Sequence, residues 1–307
     1  MGAWSWPGRC WPCCRRWSYS SCCTSSSPEA LLWARRNNVP RVLNIAHRGA
    51  RSLAPENTLA AARKALEVGA DLWELDVAVT ADEALILFHD DSLARTTDAP
   101  ARFPHRAPWT FTTFTLAEIR SLDAGSWFVE SDPFGEIAAG TVTQAELAAY
   151  RGERVPTLRE ALLFTKEHNY RVNIELKRLP PPMERFPVVD RVLALIDELN
   201  AAEHVLFSSF VHDWLRQIQA SRPEFEVQAL LGYSETQPLD WGNLAFKTYN
   251  ARHTLVSEEK IRELREKGIA LNLWTIDDVD DMQRYITAGA AGLINDLPHK
   301  LAVLLQP

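Results

Sequence analysis

The sequence predicts an α/β fold, a parallel (β/α)8 barrel, and three observations lead there. Beyond about residue 38, short apolar runs alternate with amphipathic segments of helical period, the pattern of repeated strand–helix units. About eight strand-like runs fall within a length that one barrel domain commonly takes. Two of these runs close on histidine, at the strand end where barrel enzymes assemble their chemistry.

The strand readings in order are Val42–Ala46, Asp71–Val77, Ala84–His89, Arg171–Lys177, Val205–Phe210, Glu226–Leu231, Ile269–Trp274 and Gly292–Ile294. The helix readings are Thr58–Val68, Leu158–His168, Val188–Leu199, Asp213–Ser221, Glu258–Lys267, Asp278–Ala288 and His299–Leu305. Asn57 reads as the N-cap of the first helix and Gly69 as its stop. In LREALLFTKEH, Leu158, Ala161, Leu162 and Thr165 form a one-sided stripe suited to packing on a sheet. The second and third strands are joined only by Thr80–Glu83, so they read as a hairpin or as neighbours without a helix between them. After the third strand, Asp91–Val155 inserts a segment rich in Pro, Gly and aromatics. A connection this long is functional or a small subdomain. Because it follows His89, it reads as a cover over the site. Within it, Phe103, Trp109, Phe111, Phe114 and His105 read as members of a small local core.

Composition narrows the function. A net charge of -7 over 307 residues argues against a general nucleic-acid binder, which needs clustered Lys and Arg. It leaves room for a small phosphorylated substrate held at one focused place. No window approaches the roughly 20 apolar residues of a membrane span, and Arg15, Arg16 and a Ser/Thr run replace the apolar core of a secretory signal. The chain therefore reads as cytoplasmic, without stable membrane insertion. All five cysteines lie in the first 23 residues, in CWPCCRRWSYSSCC, without the paired spacing of a structural zinc site. Residues 1–38 read as a disordered Cys/Trp/Ser-rich extension, of the kind an upstream start codon adds, and residues 39–307 as the barrel domain.

The chemistry lies in alternation. In DLWELDV, Trp73, Leu75 and Val77 share one face while Glu74 and Asp76 share the other. In VNIELK, Ile174 and Leu176 oppose Asn173, Glu175 and Lys177. In a barrel the polar faces point inward, where neighbouring carboxylates repel unless neutralised. Three inward carboxylates from two strands make a hard, oxygen-rich site for Mg²⁺ or Ca²⁺. Beside them, His47 and His89 at strand ends offer a general acid and a general base. Arg48 offers a fork for phosphate oxygens and Lys177 a compact charge. Ser208 and Phe210 read as pocket-lining or as a simple strand end, His253 as a structural or site-lining residue near the end of a barrel strand, and Asp296 as a cap on the final helix.

The ordered motifs HRG…PENT, ELDV, HD, IELK, NLWTID and IND-P resemble the glycerophosphodiester phosphodiesterase family, from roughly Val42 to Leu305. That resemblance implies a TIM barrel with a family-type insertion after the third strand. It implies metal-dependent hydrolysis of a small-molecule glycerophosphodiester to sn-glycerol 3-phosphate and an alcohol, in lipid and glycerol metabolism. It places catalysis at His47 and His89 and a divalent ion, Mg²⁺ or Ca²⁺, at Glu74, Asp76 and Glu175. Arg48 and Lys177 match phosphate-contacting positions, Glu56 and Asn57 line or organise the site, and Trp274 packs against the glycerol end. Two rivals remain. A phospholipase C/D-type phosphodiesterase would need an apolar rim or basic patch for a bilayer. A non-catalytic barrel binding module should have lost a histidine or carboxylate, and none is missing.

Overall fold

The computed structural model describes residues 41–306. The readings of an N-terminal extension and of its cysteines lie outside the described residues. Nine strands are present among the described residues: β1 Leu43–Ala46, β2 Leu72–Val79, β3 Leu85–Leu87, β4 Arg171–Leu176, β5 Val205–Ser209, β6 Glu226–Leu231, β7 Thr248–Arg252, β8 Ala270–Trp274 and β9 Gly292–Asn295. All except β3 run parallel, and β1 pairs with both β2 and β9, which closes an eight-stranded barrel.

The helices that follow the strands are α1 Leu59–Glu67, then four short helices of the insertion (α2 Ala99–Arg102, α3 Leu116–Ile119, α4 Ser126–Ser131, α5 Gln144–Tyr150). They continue as α6 Leu158–Glu167, α7 Val188–Leu199, α8 His212–Ser221, α9 Glu258–Glu266, α10 Val279–Ala288 and α11 Pro298–Leu304. Apolar stripes on these helices bury against the outward faces of the strands, as Leu158, Ala161, Leu162 and Thr165 do on α6. Three helices start with a Thr-x-x-Glu capping box, at Thr115, Thr143 and Thr157, where the Thr hydroxyl and the Glu carboxylate satisfy orphan N–H groups reciprocally.

Two readings of the sequence are corrected here. The eight expected strands include β3, which is no barrel strand but an antiparallel hairpin partner of β2. Their spans leave out β7, TYNAR, the strand read only as ending near His253; β6 reaches it without an intervening helix, so no βα period sets its bounds. In addition, residues 91–155 contribute only Asp91 to the lining of the cavity at the strand ends, so they do not cover it. Their apolar side chains, among them Phe111, Phe114, Ile119, Phe128 and Tyr150, join the core shared with β2 and β3, so the insertion braces the barrel flank. The local packing expected of Phe103, Trp109 and Phe114 is present, with Phe103 and Phe114 edge to face at 5.3 Å and the Trp109 indole donating to the Phe103 carbonyl. His105 is exposed.

Inside the barrel, Ile45, Leu72, Leu206 and Ile294 make a small apolar plug. Above it the inward positions turn polar. Asn272 donates to Asn250 Oδ1 at 2.9 Å and to Gln228 Oε1 at 3.3 Å, and Asn173 and Ser208 complete a buried polar floor.

Candidate active site

A cavity of about 1010 Å³ opens on that floor, at the C-terminal end of the strands. Its lining includes His47, Arg48, Glu74, His89, Glu175, Lys177 and Trp274.

The acidic cluster follows from register. Asp76 on β2 lies directly across from Glu175 on β4, with Glu74 one inward position below. Carboxylate oxygens of Glu74, Asp76 and Glu175 all lie within 4.8 Å of one another. Asp76 is 1% exposed, yet burial is overcome by Lys177, His89, Arg48 and an Asn57 hydrogen bond, which hold its carboxyl far below the usual range. Glu74 and Glu175 lack such compensation. Burial, then repulsion from Asp76 and Glu175, pushes Glu74 well above its ordinary value. Burial and Asp76 raise Glu175 to about 7 against the opposing pull of Lys177 and Arg48. Glu74 accepts the Arg48 backbone N–H at 2.8 Å through Oε2, whereas its buried Oε1 has no partner. Three convergent oxygen donors, an orphaned buried carboxylate oxygen and unmet repulsion fit a hard divalent cation.

The HRG turn places two further groups. Arg48 adopts a left-handed backbone (φ 54°) and Gly49 follows at φ 80°. A Cβ at Gly49 would lie 2.6 Å from the Ala61 Cβ, so only glycine lets the turn rest on α1. Arg48 is only partly engaged: Nη1 donates to Glu56 at 2.9 Å, while the buried Nε, 3.4 Å from Asp76, makes no hydrogen bond. Lys177 Nζ donates to Asp76 at 3.1 Å and to the His89 carbonyl at 3.2 Å, which leaves its third N–H.

Each histidine carries a carboxylate on Nδ1. His47 meets Asp296 at 2.7 Å and His89 meets Asp90 at 2.6 Å. A carboxylate only accepts, so Nδ1 holds the proton and Nε2 is the nitrogen left to the cavity. Burial and Arg48 lower the His47 pKa despite the Asp296 charge.

Several residues stand elsewhere than expected. Asp296 bonds the imidazole instead of capping α11, whose N-cap is Leu297. Continuing the period-2 alternation of β9, Gly292 and Ile294 inward, would have pointed to it. Asn57 clasps Asp76 through both amide atoms, and Thr58 caps α1. Glu56 is not in the cavity lining: Arg48, Arg51 and Arg95 enclose it. Of the two readings of Ser208 and Phe210, pocket lining or a simple strand end, the first holds: both line the cavity. Phe210 lies edge to face on both Trp274 and Tyr233, forming an aromatic wall. His253 contacts the Tyr285 hydroxyl, outside that lining.

The fold is that of phosphodiesterases: one from Oleispira antarctica, solved in complex with the product sn-glycerol-3-phosphate, gives a TM-score of 0.66 at 25% identity, covering 87% of this chain and 98% of that one. A glycerophosphodiester phosphodiesterase from Agrobacterium tumefaciens gives 0.61 at 26% identity, covering 86% and 99%. Among curated relatives, a glycerophosphodiester phosphodiesterase of Caldanaerobacter subterraneus subsp. tengcongensis is 33% identical, over 87% of this chain and 98% of its own length. Residues 47–300 match the glycerophosphoryl diester phosphodiesterase family. The chain belongs to that family and is a TIM-barrel phosphoric diester hydrolase.

Proposed function

We propose that this protein hydrolyses glycerophosphodiesters to sn-glycerol 3-phosphate and an alcohol, with His47 and His89 as proton carriers and a divalent ion, Mg²⁺ or Ca²⁺, held by Glu74, Asp76 and Glu175. The observation that carries the reading is one cavity lined both by the under-compensated Glu74 and Glu175, with Asp76 within reach of both, and by two imidazoles whose Nδ1 atoms are already committed to carboxylates. The product complex of the Oleispira phosphodiesterase supports the same product here.

A divalent ion at the cluster supplies Lewis-acid charge to non-bridging phosphate oxygens. The remaining N–H of Lys177 and the free edge of Arg48 hold the phosphate from the side. One imidazole Nε2 takes the proton of the attacking hydroxyl, and the other gives a proton to the alkoxide as its P–O bond breaks. The depressed pKa of His47 suits it to accept. Trp274, with Phe210, offers an apolar face to the carbon skeleton. Glu56, saturated by guanidinium groups, acts by holding Arg48 and not by touching substrate. Residues 39–307 serve as the catalytic domain, with 91–155 as a brace.

A lipid-surface role lacks its rim: of the large exposed apolar side chains among the described residues, Leu163, Tyr233, Val279 and Val303, only Tyr233 lines the cavity. No helix among the described residues is long and apolar enough to cross a membrane.

His47→Ala and His89→Ala, made separately, test the assignment. Each should lower turnover of glycerophosphocholine by at least about 10²-fold, with circular dichroism and melting retained. A variant that keeps full turnover, or that fails to fold, contradicts it.

A further inference from the structure

We infer that Glu56 is a shared anchor that orients both imidazoles, through two arginine arms that end on its single carboxylate.

The chain of contacts is continuous. From His47, Nδ1 meets Asp296 Oδ1 at 2.7 Å, Arg51 Nη1 reaches Asp296 Oδ2 at 3.2 Å, and Arg51 Nη2 reaches Glu56 Oε2 at 2.8 Å. From His89, Nδ1 meets Asp90 Oδ1 at 2.6 Å. Arg95 Nε then donates to Asp90 Oδ2 at 2.6 Å, and its Nη2 donates to Glu56 Oε1 at 2.6 Å while Nη1 donates to Oε2 at 3.1 Å. Each arm is therefore imidazole, carboxylate, guanidinium, and both close on Glu56.

The chemistry suits an anchor better than a ligand. A carboxylate has about four lone-pair sites, and guanidinium groups crowd both Glu56 oxygens: Arg48 and Arg95 donate to Oε1, Arg95 donates to Oε2, and Arg51 Nη2 forms an ion pair with Oε2. The group is 6% exposed. Guanidinium groups bind carboxylates as planar forks, so each arginine fixes a direction as well as a charge. An aspartate that is itself clamped holds its imidazole in one tautomer and one orientation, the service outer groups give to reacting ones. The three segments involved, 47–56, 89–95 and β9 with its following Asp296, meet because the barrel closes between β1 and β9 and Arg95 folds back onto Glu56.

The inference rests on the reading of His47 and His89 as proton carriers, and its test separates the two. Full-length chain labelled with ¹⁵N-histidine is compared with Arg51→Gln, Arg95→Gln and Glu56→Gln, each followed by long-range ¹H–¹⁵N spectra and by kcat and KM on glycerophosphocholine. Arg51→Gln should shift the His47 Nδ1–H signal, Arg95→Gln that of His89, and Glu56→Gln both. Each arm variant should lower kcat by about 10- to 100-fold, with KM within about threefold, and Arg95→Lys should recover only part because it lacks the fork. Effects of the two arms should be non-additive in the double variant, since they share one anchor. Should Glu56→Gln fail to fold, the arm variants, which retain Glu56, decide the matter. Histidine signals unmoved in the arm variants overturn the anchor, whatever happens to kcat. Signals that move as described while kcat stays at the native level uphold the anchor and overturn the proton-carrier reading instead.

Discussion

At His47 the imidazole is held between opposing influences: burial and Arg48 draw its pKa down, and Asp296 draws it up. Asp296→Asn removes the upward influence, so the NMR titration midpoint of His47 should move further below its ordinary value. An unchanged or higher midpoint would show that the pair is not coupled. Much at this scale was legible. Glu74, Asp76 and Glu175 fell on the inward face by simple alternation, and His47, His89 and Lys177 by standing at strand ends. What was not legible is who holds them. Asp90 was in view as the second letter of HD, but its link through Arg95 to Glu56 spans 39 residues and depends on how the insertion folds back. No local pattern encodes that. Asn57 and Thr58 show the complementary limit: both are good cap residues, and only the nearby Asp76 decides that the amide is needed elsewhere.

At the scale of elements, β2 and β4 bring Asp76 and Glu175 opposite one another with a repulsion the fold alone does not relieve. Glu175→Gln should therefore leave the melting temperature of the ion-free protein unchanged or higher, while weakening the stabilisation that a divalent ion confers. Calorimetry with and without ion tests both halves, and a variant that melts lower without ion but still gains fully from it would refute the assignment. The HRG turn is the second element under strain. Gly49→Ala places a methyl group against Ala61 at a left-handed φ, and should cost roughly 2 to 4 kcal/mol by denaturant titration. Wild-type stability would mean that the turn and α1 are not packed as described. Helix extents followed from period and stripe almost throughout; α7 matches its expected span. For β7 only an end near His253 was legible, because TYNAR is short, mixed and preceded by a helix-free connection, so neither period fixes its bounds. The insertion was recognised by length, but its placement depends on buried aromatics meeting β2 and β3, which sequence order does not convey.

The whole molecule should answer pH in two windows of opposite sign. Glu56 is held at about 2 when folded: hydrogen bonding from Arg95 and the charges of Arg48 and Arg51 outweigh burial. A depressed carboxyl contributes stability above its unfolded value near 4.5 that is lost as pH falls through the folded one, so melting should drop steeply below about pH 4.5. Glu175, raised to about 7, contributes stability at low pH that is lost as pH rises between those values. The ion-free protein should thus soften from about pH 5 to 7, and a divalent ion should restore it, competing with the proton more poorly as pH falls. At about 100-fold excess over Kd the gain is about 2.7 kcal/mol, several degrees for a chain of this size. A melting curve indifferent to ion at pH 8 would contradict the acidic cluster as a binding site. Most direct of all is ³¹P NMR of the purified full-length chain turning over sn-glycero-3-phosphocholine, before chelation, after it, and after a divalent ion is returned. Growth of sn-glycerol 3-phosphate that stops with chelator and resumes with ion is the predicted record. Phosphocholine as the phosphorus product, or turnover that ignores the chelator, would contradict the account.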